Sequence, residues 1–140
     1  MGAILEGLRV VDLASSWSTA LATLFLADNG AEVVMVEPPT GCALRSRPAF
    51  PYLARGKQSL VVGLTDPASV DRLAPLLDRA DVVFEGFRPG VAERLGVGYE
   101  RLANTNPAVV YASVSGYGQD GPYARRPGYN TIAKIGRAHV

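Results

Sequence analysis

The sequence predicts an α/β fold: a Rossmann-like, mostly parallel sheet with flanking helices. Three observations carry this expectation. Apolar, β-branched runs (Val10-Val11, Val33-Val34, Val82-Val83, Val109-Val110) alternate with stretches of helical period. Those runs are nearly all apolar, as strands buried on both faces must be. Strand and helix signals also alternate along the whole chain, the pattern of βαβ units.

The elements follow in order. Leu8–Leu13 reads as the first strand. Ser18 or Thr19 can cap a helix running to about Asn29, and Gly30 is a natural stop. Glu32–Glu37 is the second strand, ended by Pro38-Pro39, and completes a βαβ unit whose crossover is nearly always right-handed. A loop rich in arginine, proline and small residues is expected from Thr40 to about Gly56, a length that is usually functional or disordered. Ser59–Leu64 is the third strand. Asp66 then caps a helix with Pro67 at its first position, and Val70, Leu73, Leu76 and Leu77 share one face. Pro75 inside that helix removes a hydrogen bond and predicts a kink. Asp81–Phe84 is the fourth strand, Val97–Ala103 a short helix and Val109–Ser113 the fifth strand.

Composition sets the bounds. A chain of 140 residues, 48% hydrophobic and 19% charged, suits one globular domain. A net charge of +1 gives no overall pull toward nucleic acid or a membrane surface, so any basic site must be local. No apolar run approaches the roughly 20 residues of a membrane span. Met1-Gly-Ala-Ile-Leu-Glu6 lacks the charged start and long apolar stretch of a secretory signal. The one cysteine, Cys42, cannot form an internal disulfide, which fits a reducing, cytoplasmic location.

The most informative stretch is Glu85-Gly-Phe-Arg-Pro-Gly-Val-Ala-Glu-Arg-Leu-Gly96. A buried strand empties into a Gly/Pro turn, and a short helical segment follows. Arg88 and Arg94 are expected about two helical turns apart near the carboxyl end of a strand, the edge where open α/β sheets bind ligands. Guanidinium groups there favour phosphate or carboxylate, although an exposed basic turn would look the same. Gly116-Tyr-Gly-Gln-Asp-Gly121 has the spacing of a dinucleotide fingerprint. Pro122 and Pro127 argue for a loop where that motif needs a helix, and the first strand–helix turn, Ala14–Thr19, contains no glycine. Glu37 accordingly reads as a loop-ordering carboxylate and not as a ribose-binding acid.

The wording around these motifs resembles the class III CoA-transferase family, which includes the α-methylacyl-CoA racemases. It is carried by Leu5-Glu-Gly-Leu-Arg-Val-Val-Asp-Leu13, by Leu26-Ala-Asp-Asn-Gly-Ala-Glu-Val-Val-Met-Val-Glu-Pro-Pro39 and by Arg55-Gly-Lys-Gln-Ser59. Phe87-Arg-Pro-Gly90 and Ser113-Val-Ser-Gly-Tyr-Gly-Gln-Asp-Gly-Pro-Tyr123 continue it. Several separated motifs in one order, from about Leu5 to Tyr129, make the resemblance specific.

The resemblance implies a CoA thioester as substrate, no permanently bound cofactor, and a carboxylic acid as the other partner. It implies CoA contacts from Arg88, Arg94 and Leu95, with Lys57 close to the nucleotide end. Gly116 and Gly118 correspond to a flexible loop thought to shield the acyl intermediate. Tyr129 stands where the racemases supply a histidine, which favours transfer over racemization. The family's nucleophile is an aspartate that attacks the thioester, and its place lies beyond residue 140, so this chain is expected to carry binding residues but no catalytic one and to be inactive by itself. The family also forms interlocked homodimers. Two departures face the expected cleft: Ser18-Thr-Ala20 after Trp17, where relatives have Ala-Gly-Pro, and Gly41-Cys-Ala43, where they have Gly-Gly-Asp. Residues 1–134 thus read as the amino-terminal part of the family's large domain. Ile135–Val140 reads as a translated sequencing-adapter tail, so the lone histidine, His139, is given no role.

Overall fold

The computed structural model describes residues 2–14 and 16–128. Its strands are β1 (Arg9–Asp12), β2 (Glu32–Glu37), β3 (Lys57–Val61), β4 (Val82–Glu85) and β5 (Val110–Ser113). They form one parallel sheet in the order β3-β2-β1-β4-β5. The chain therefore builds outward from β1 in one direction, then returns past it to build in the other. Asp12 lies beside Met35 on one side and Phe84 on the other, so the reversal falls between the carboxyl ends of β1 and β4. Ligands bind at that point in open α/β sheets.

The helices are α1 (Trp17–Asp28), α2 (Phe50–Ala54), α3 (Pro67–Leu77), α4 (Val91–Arg94) and α5 (Tyr99–Thr105). On one face of the sheet Val11, Leu13, Val36 and Val83 pack with Val70, Leu73 and Leu77 of α3 and Leu102 of α5. On the other, Val10 and Val33 meet Leu26 and Ala27 of α1, while Ala20 and Leu24 close against Leu44 and Leu53.

Local chemistry explains where the helices begin. Ser16, not Ser18 or Thr19, caps α1: its Oγ accepts from the Thr19 amide (3.3 Å) while Thr19 Oγ1 accepts from the Ser16 amide (3.2 Å). Two orphan donors are satisfied by one pair of hydroxyls, so the helix starts at Trp17, two residues earlier than a Ser18 cap would allow. Asp66 caps α3 as expected, accepting from the Ser69 amide (3.1 Å) and hydroxyl (2.6 Å), with Pro67 at the first position. That helix continues through Pro75 to Leu77, and the Asp78 amide still donates to the Ala74 carbonyl (2.8 Å).

The stretch from Thr40 to Gly56 is not a plain loop. It holds a 3₁₀ turn over Ala43–Ser46 and then α2, whose Leu53 is buried against α1. Strand β3 begins at Lys57, two residues before the expected start, because Lys57 and Gln58 already pair with Val33 and Val34.

Candidate functional site

The three central strands all end in a buried carboxylate, and each carboxylate holds the loop that follows it. Asp12 Oδ1 accepts from the Ala14 amide (3.2 Å), and its Oδ2 accepts from Thr23 Oγ1 (3.0 Å). Glu85 Oε2 accepts from the Phe87 amide (2.7 Å) and fixes the start of the Phe-Arg-Pro-Gly turn. Glu37 is the most heavily used. It accepts from Arg45 Nε (2.6 Å) and Nη2 (2.7 Å), from the Cys42 amide (3.0 Å) and from Ser59 Oγ (2.6 Å). The Arg45 guanidinium, with help from the other donors, outweighs burial and holds this carboxyl down at about 2. Glu37 is thus the loop-ordering group the sequence suggested.

Two clefts open above this edge, one on each side of Phe87. The first is an apolar slot of about 350 Å³, walled by Leu13, Val36, Val62, Leu64, Phe87 and Leu95. A hollow of about 250 Å³ shares Leu64, Thr65 and Leu95 with the slot and adds Arg94 and Arg101. Arg101 is held there by donating to the Gly96 carbonyl (2.8 Å). The second cleft, of about 440 Å³, lies over the reversal point and is lined by Ser16, Ser18, Phe87, Arg88, Gly116 and Arg126, among others. Both larger clefts fall in the size range of small-molecule sites.

Arg88 and Arg94 are therefore not side by side. Only Val91–Arg94 is helical, with Gly90 in the left-handed region (φ 81°) turning the chain into α4. Arg94 and Leu95 border the slot and its hollow, whereas Arg88 lies in the second cleft. Both arginines are exposed, and neither guanidinium has a hydrogen-bond or ion-pair partner among the described residues. Gly116 lines the second cleft because it abuts Gly128 backbone to backbone: a Cβ on Gly116 would sit 2.4 Å from the Gly128 Cα. Gly118 lines neither cleft, and a Cβ there would lie 3.9 Å from the Asp120 carbonyl oxygen, an ordinary contact.

Lys57 lines neither cleft. It begins β3 at the amino end of the sheet, and its Nζ donates to the Ala20 carbonyl (2.7 Å) and Thr23 Oγ1 (2.8 Å). Burial lowers its pKa, partly offset by Asp12 and Asp28. In this position it ties β3 to α1. Tyr129, His139 and Ile135–Val140 lie outside the described residues.

Sequence reasoning missed Arg126 and Ser16. Arg126 has no motif of its own, and its place depends on stacking: its guanidinium carbon lies 4.3 Å from the Tyr123 ring centroid, and Tyr123 packs against Tyr117 at 6.0 Å. Cys42 lines the slot, but it packs in the core with Ala20, Leu24, Leu44 and Leu53, and its amide is committed to Glu37. Among the described residues, no cluster of His, Cys, Asp or Glu is placed to hold a metal, and no helix is long and apolar enough to cross a membrane.

Comparison with known proteins decides the family. The model of CoA-transferase family III matches residues 5–137. The chain belongs to CoA-transferase family III. An acetyl-CoA:oxalate CoA-transferase of Acetobacter aceti is 40% identical over 139 residues, covering 92% of this chain and 36% of that protein. The human alpha-methylacyl-CoA racemase is 39% identical over 142 residues, covering 96% of this chain and 36% of the racemase. A crystal structure of a CAIB/BAIF family protein from Brucella suis superposes with a TM-score of 0.88 at 32% identity, over 96% of this chain and 39% of that one. The chain thus spans about a third of the length of the curated relatives it matches, and the family III fold includes its parallel sheet and flanking helices.

Proposed function

We propose that this chain forms the CoA-facing, amino-terminal part of an acyl-CoA:carboxylate CoA-transferase. The observation that carries the reading is the pair of clefts that share Phe87 at the carboxyl edge. A CoA thioester has a flat base, anionic phosphates and a long arm ending in the thioester, and it needs an apolar slot, a cation and a second chamber. The slot beside Leu13, Val36 and Leu95 suits the base, and Arg94 at its rim suits a phosphate. Phe87 then stands where the arm passes, and Arg88 meets the thioester end. Lys57 has no part in this arrangement.

The chemistry follows the family's route. An aspartate carboxylate, supplied by sequence beyond residue 140, attacks the thioester carbonyl and expels CoA thiolate, leaving a mixed anhydride. The thiolate attacks the aspartyl carbonyl of that anhydride, which releases the donor acid and leaves an aspartyl-CoA thioester. The acceptor carboxylate then repeats the two steps in reverse order, so no external oxidant or proton source is consumed. The whole enzyme works as a homodimer in the cytoplasm, with the acyl-CoA and free acid as its partners. The test is transfer of CoA from acetyl-CoA to a series of carboxylic acids by the full-length parent, with product acyl-CoA resolved chromatographically. Absence of any new acyl-CoA sinks the reading.

A second reading, racemization of a 2-methylacyl-CoA, is favoured by the 39% identity to the human racemase. It requires a base near neutrality on one side of the α-carbon. Tyr129 is a poor one, since an unperturbed phenol titrates near 10. Rapid deuterium uptake from D₂O into a chiral 2-methylacyl-CoA would decide for the racemase.

A further inference from the structure

Lys57, Thr23 and Asp12 form a buried polar chain that ligand contact does not explain. Asp12 and Thr23 are fully buried, and among the described residues no cation touches Asp12 directly. Its counter-charge comes through a hydroxyl. Lys57 Nζ donates to Thr23 Oγ1 (2.8 Å), and Thr23 Oγ1 donates to Asp12 Oδ2 (3.0 Å). The hydroxyl has one proton, and the Thr19 carbonyl (2.8 Å) competes for it. The carboxylate is the stronger acceptor, because charge-assisted hydrogen bonds are about twice as strong as neutral ones. Asp28, the other acid near Lys57, is already held by Arg55.

The far end of this chain meets the clefts. Asp12 Oδ1 accepts from the Ala14 amide (3.2 Å). Ala14 and Ser16 pack on Gly86, where a Cβ would lie 3.2 Å from the Ala14 Cβ and 3.1 Å from Ser16 Oγ. Ser16 lines the cleft over the sheet reversal, and Phe87, which follows Gly86, walls both clefts. An uncompensated buried carboxylate is strongly unfavourable, so without the ammonium Asp12 would draw in water or turn to other donors. Ala14, Ser16 and the Gly86–Phe87 turn would then shift together. We infer that Lys57 is a positioning residue: through Thr23 and Asp12 it sets the wall between the two clefts, and so the rate of CoA transfer, without touching CoA. This rests on the CoA-transfer reading and gives Lys57 a role other than the nucleotide contact that the family resemblance implies.

The test uses the full-length parent, acetyl-CoA as donor, and whichever of acetate, oxalate, succinate and butyrate it serves fastest. CoA binding is measured in parallel by calorimetry. Lys57→Met deletes the charge and keeps the length of the side chain. It is expected to lower kcat by about 10- to 100-fold, as misplacement by about 1 Å does, and to leave the Kd for CoA within about twofold. Lys57→Arg should recover part of the loss, since it restores the charge. On an Asp12→Asn background, Lys57→Met should cost less than about threefold further in kcat, because no buried charge is left to balance. A lysine that only stabilised the fold would lower the melting temperature without producing that coupling. Should Lys57→Met fail to fold, Thr23→Val removes the bridge, and its kcat with and without Asp12→Asn gives the same comparison. Unchanged kcat in these variants, a CoA Kd raised by about tenfold or more, or a loss indifferent to Asp12 overturns the inference and leaves CoA transfer intact. No transfer by the wild type to any of the four acids overturns the CoA-transfer reading and this inference with it.

Discussion

Removing Arg45 should destabilise the fold by an amount that depends on pH in a defined way. Glu37 has essentially no exposed side-chain surface, yet it is ionised, because Arg45 grips both its oxygens at 2.6 and 2.7 Å. Its carboxyl is held at about 2 against an ordinary 4.5. That gap is worth about 3 kcal/mol of folding free energy at neutral pH. Because this acid is depressed in the folded state, its contribution is complete above about pH 5 and fades as pH falls toward about 2. Arg45 is about half exposed, so in Arg45→Ala water can reach Glu37, and the Cys42 amide and Ser59 hydroxyl remain. The expected loss at pH 7 is therefore about 2 kcal/mol and not the full amount. Part of it, from the guanidinium lying 5.0 Å from the Phe50 ring centroid, is independent of pH. Urea unfolding followed by far-UV circular dichroism at pH 7 and pH 3 measures both numbers. The difference between wild type and variant should shrink by half or more at the lower pH. Equal stabilities at pH 7, or a gap that persists undiminished in acid, would refute the account of how this loop is held.

Three further outcomes follow from the geometry. Arg94→Ala in the full-length parent should weaken CoA binding by about 1.5–3 kcal/mol, measured by calorimetry, and unchanged affinity would return Arg94 to an ordinary surface residue. Gly116→Ala should cost about 1–3 kcal/mol in thermal unfolding, because its Cβ would meet the Gly128 backbone at 2.4 Å and the two segments must separate; an unchanged midpoint would contradict the contact. The 140-residue chain alone should move no CoA between acids, since the attacking carboxylate is expected beyond it; turnover above background would place the nucleophile among its own residues.

Much of the fold was legible in the sequence because local and long-range signals agree. Apolar strand runs, Asp66-Pro67 and Gly30 give the same punctuation that packing enforces, and β2 matches its expected limits. What the sequence hid was the consequence of side-chain partnership. Lys57 sits in a motif that suggests a ligand contact, but its ammonium is drawn between α1 and the sheet by Thr23 and the Ala20 carbonyl. Thr23 has no such meaning in a linear reading. Arg88 and Arg94, six positions apart, look like one basic patch. Gly90, in a left-handed turn, starts a helix of one turn between them, and Phe87 divides their surroundings into separate clefts. Arg126 was invisible for a complementary reason, since its guanidinium is placed by stacking on Tyr123, a contact that no local motif announces.

The carboxylates at the ends of β1, β2 and β4 tie these observations together. An anion-binding edge built beside three acids would ordinarily neutralise itself, because each acid could pair with the nearest arginine. Here Asp12, Glu37 and Glu85 are buried, at most 3% exposed, and their oxygens are turned toward backbone amides, hydroxyls and the loop arginine Arg45. Arg45 satisfies Glu37 from inside the loop and so does not reach across the edge. The acids therefore fix the loops that present Phe87, Arg88 and Arg94, and they leave the guanidiniums of Arg88 and Arg94 without a partner among the described residues. Spending negative charge on loop order is what keeps positive charge available to an acid and a phosphate on the same sheet edge.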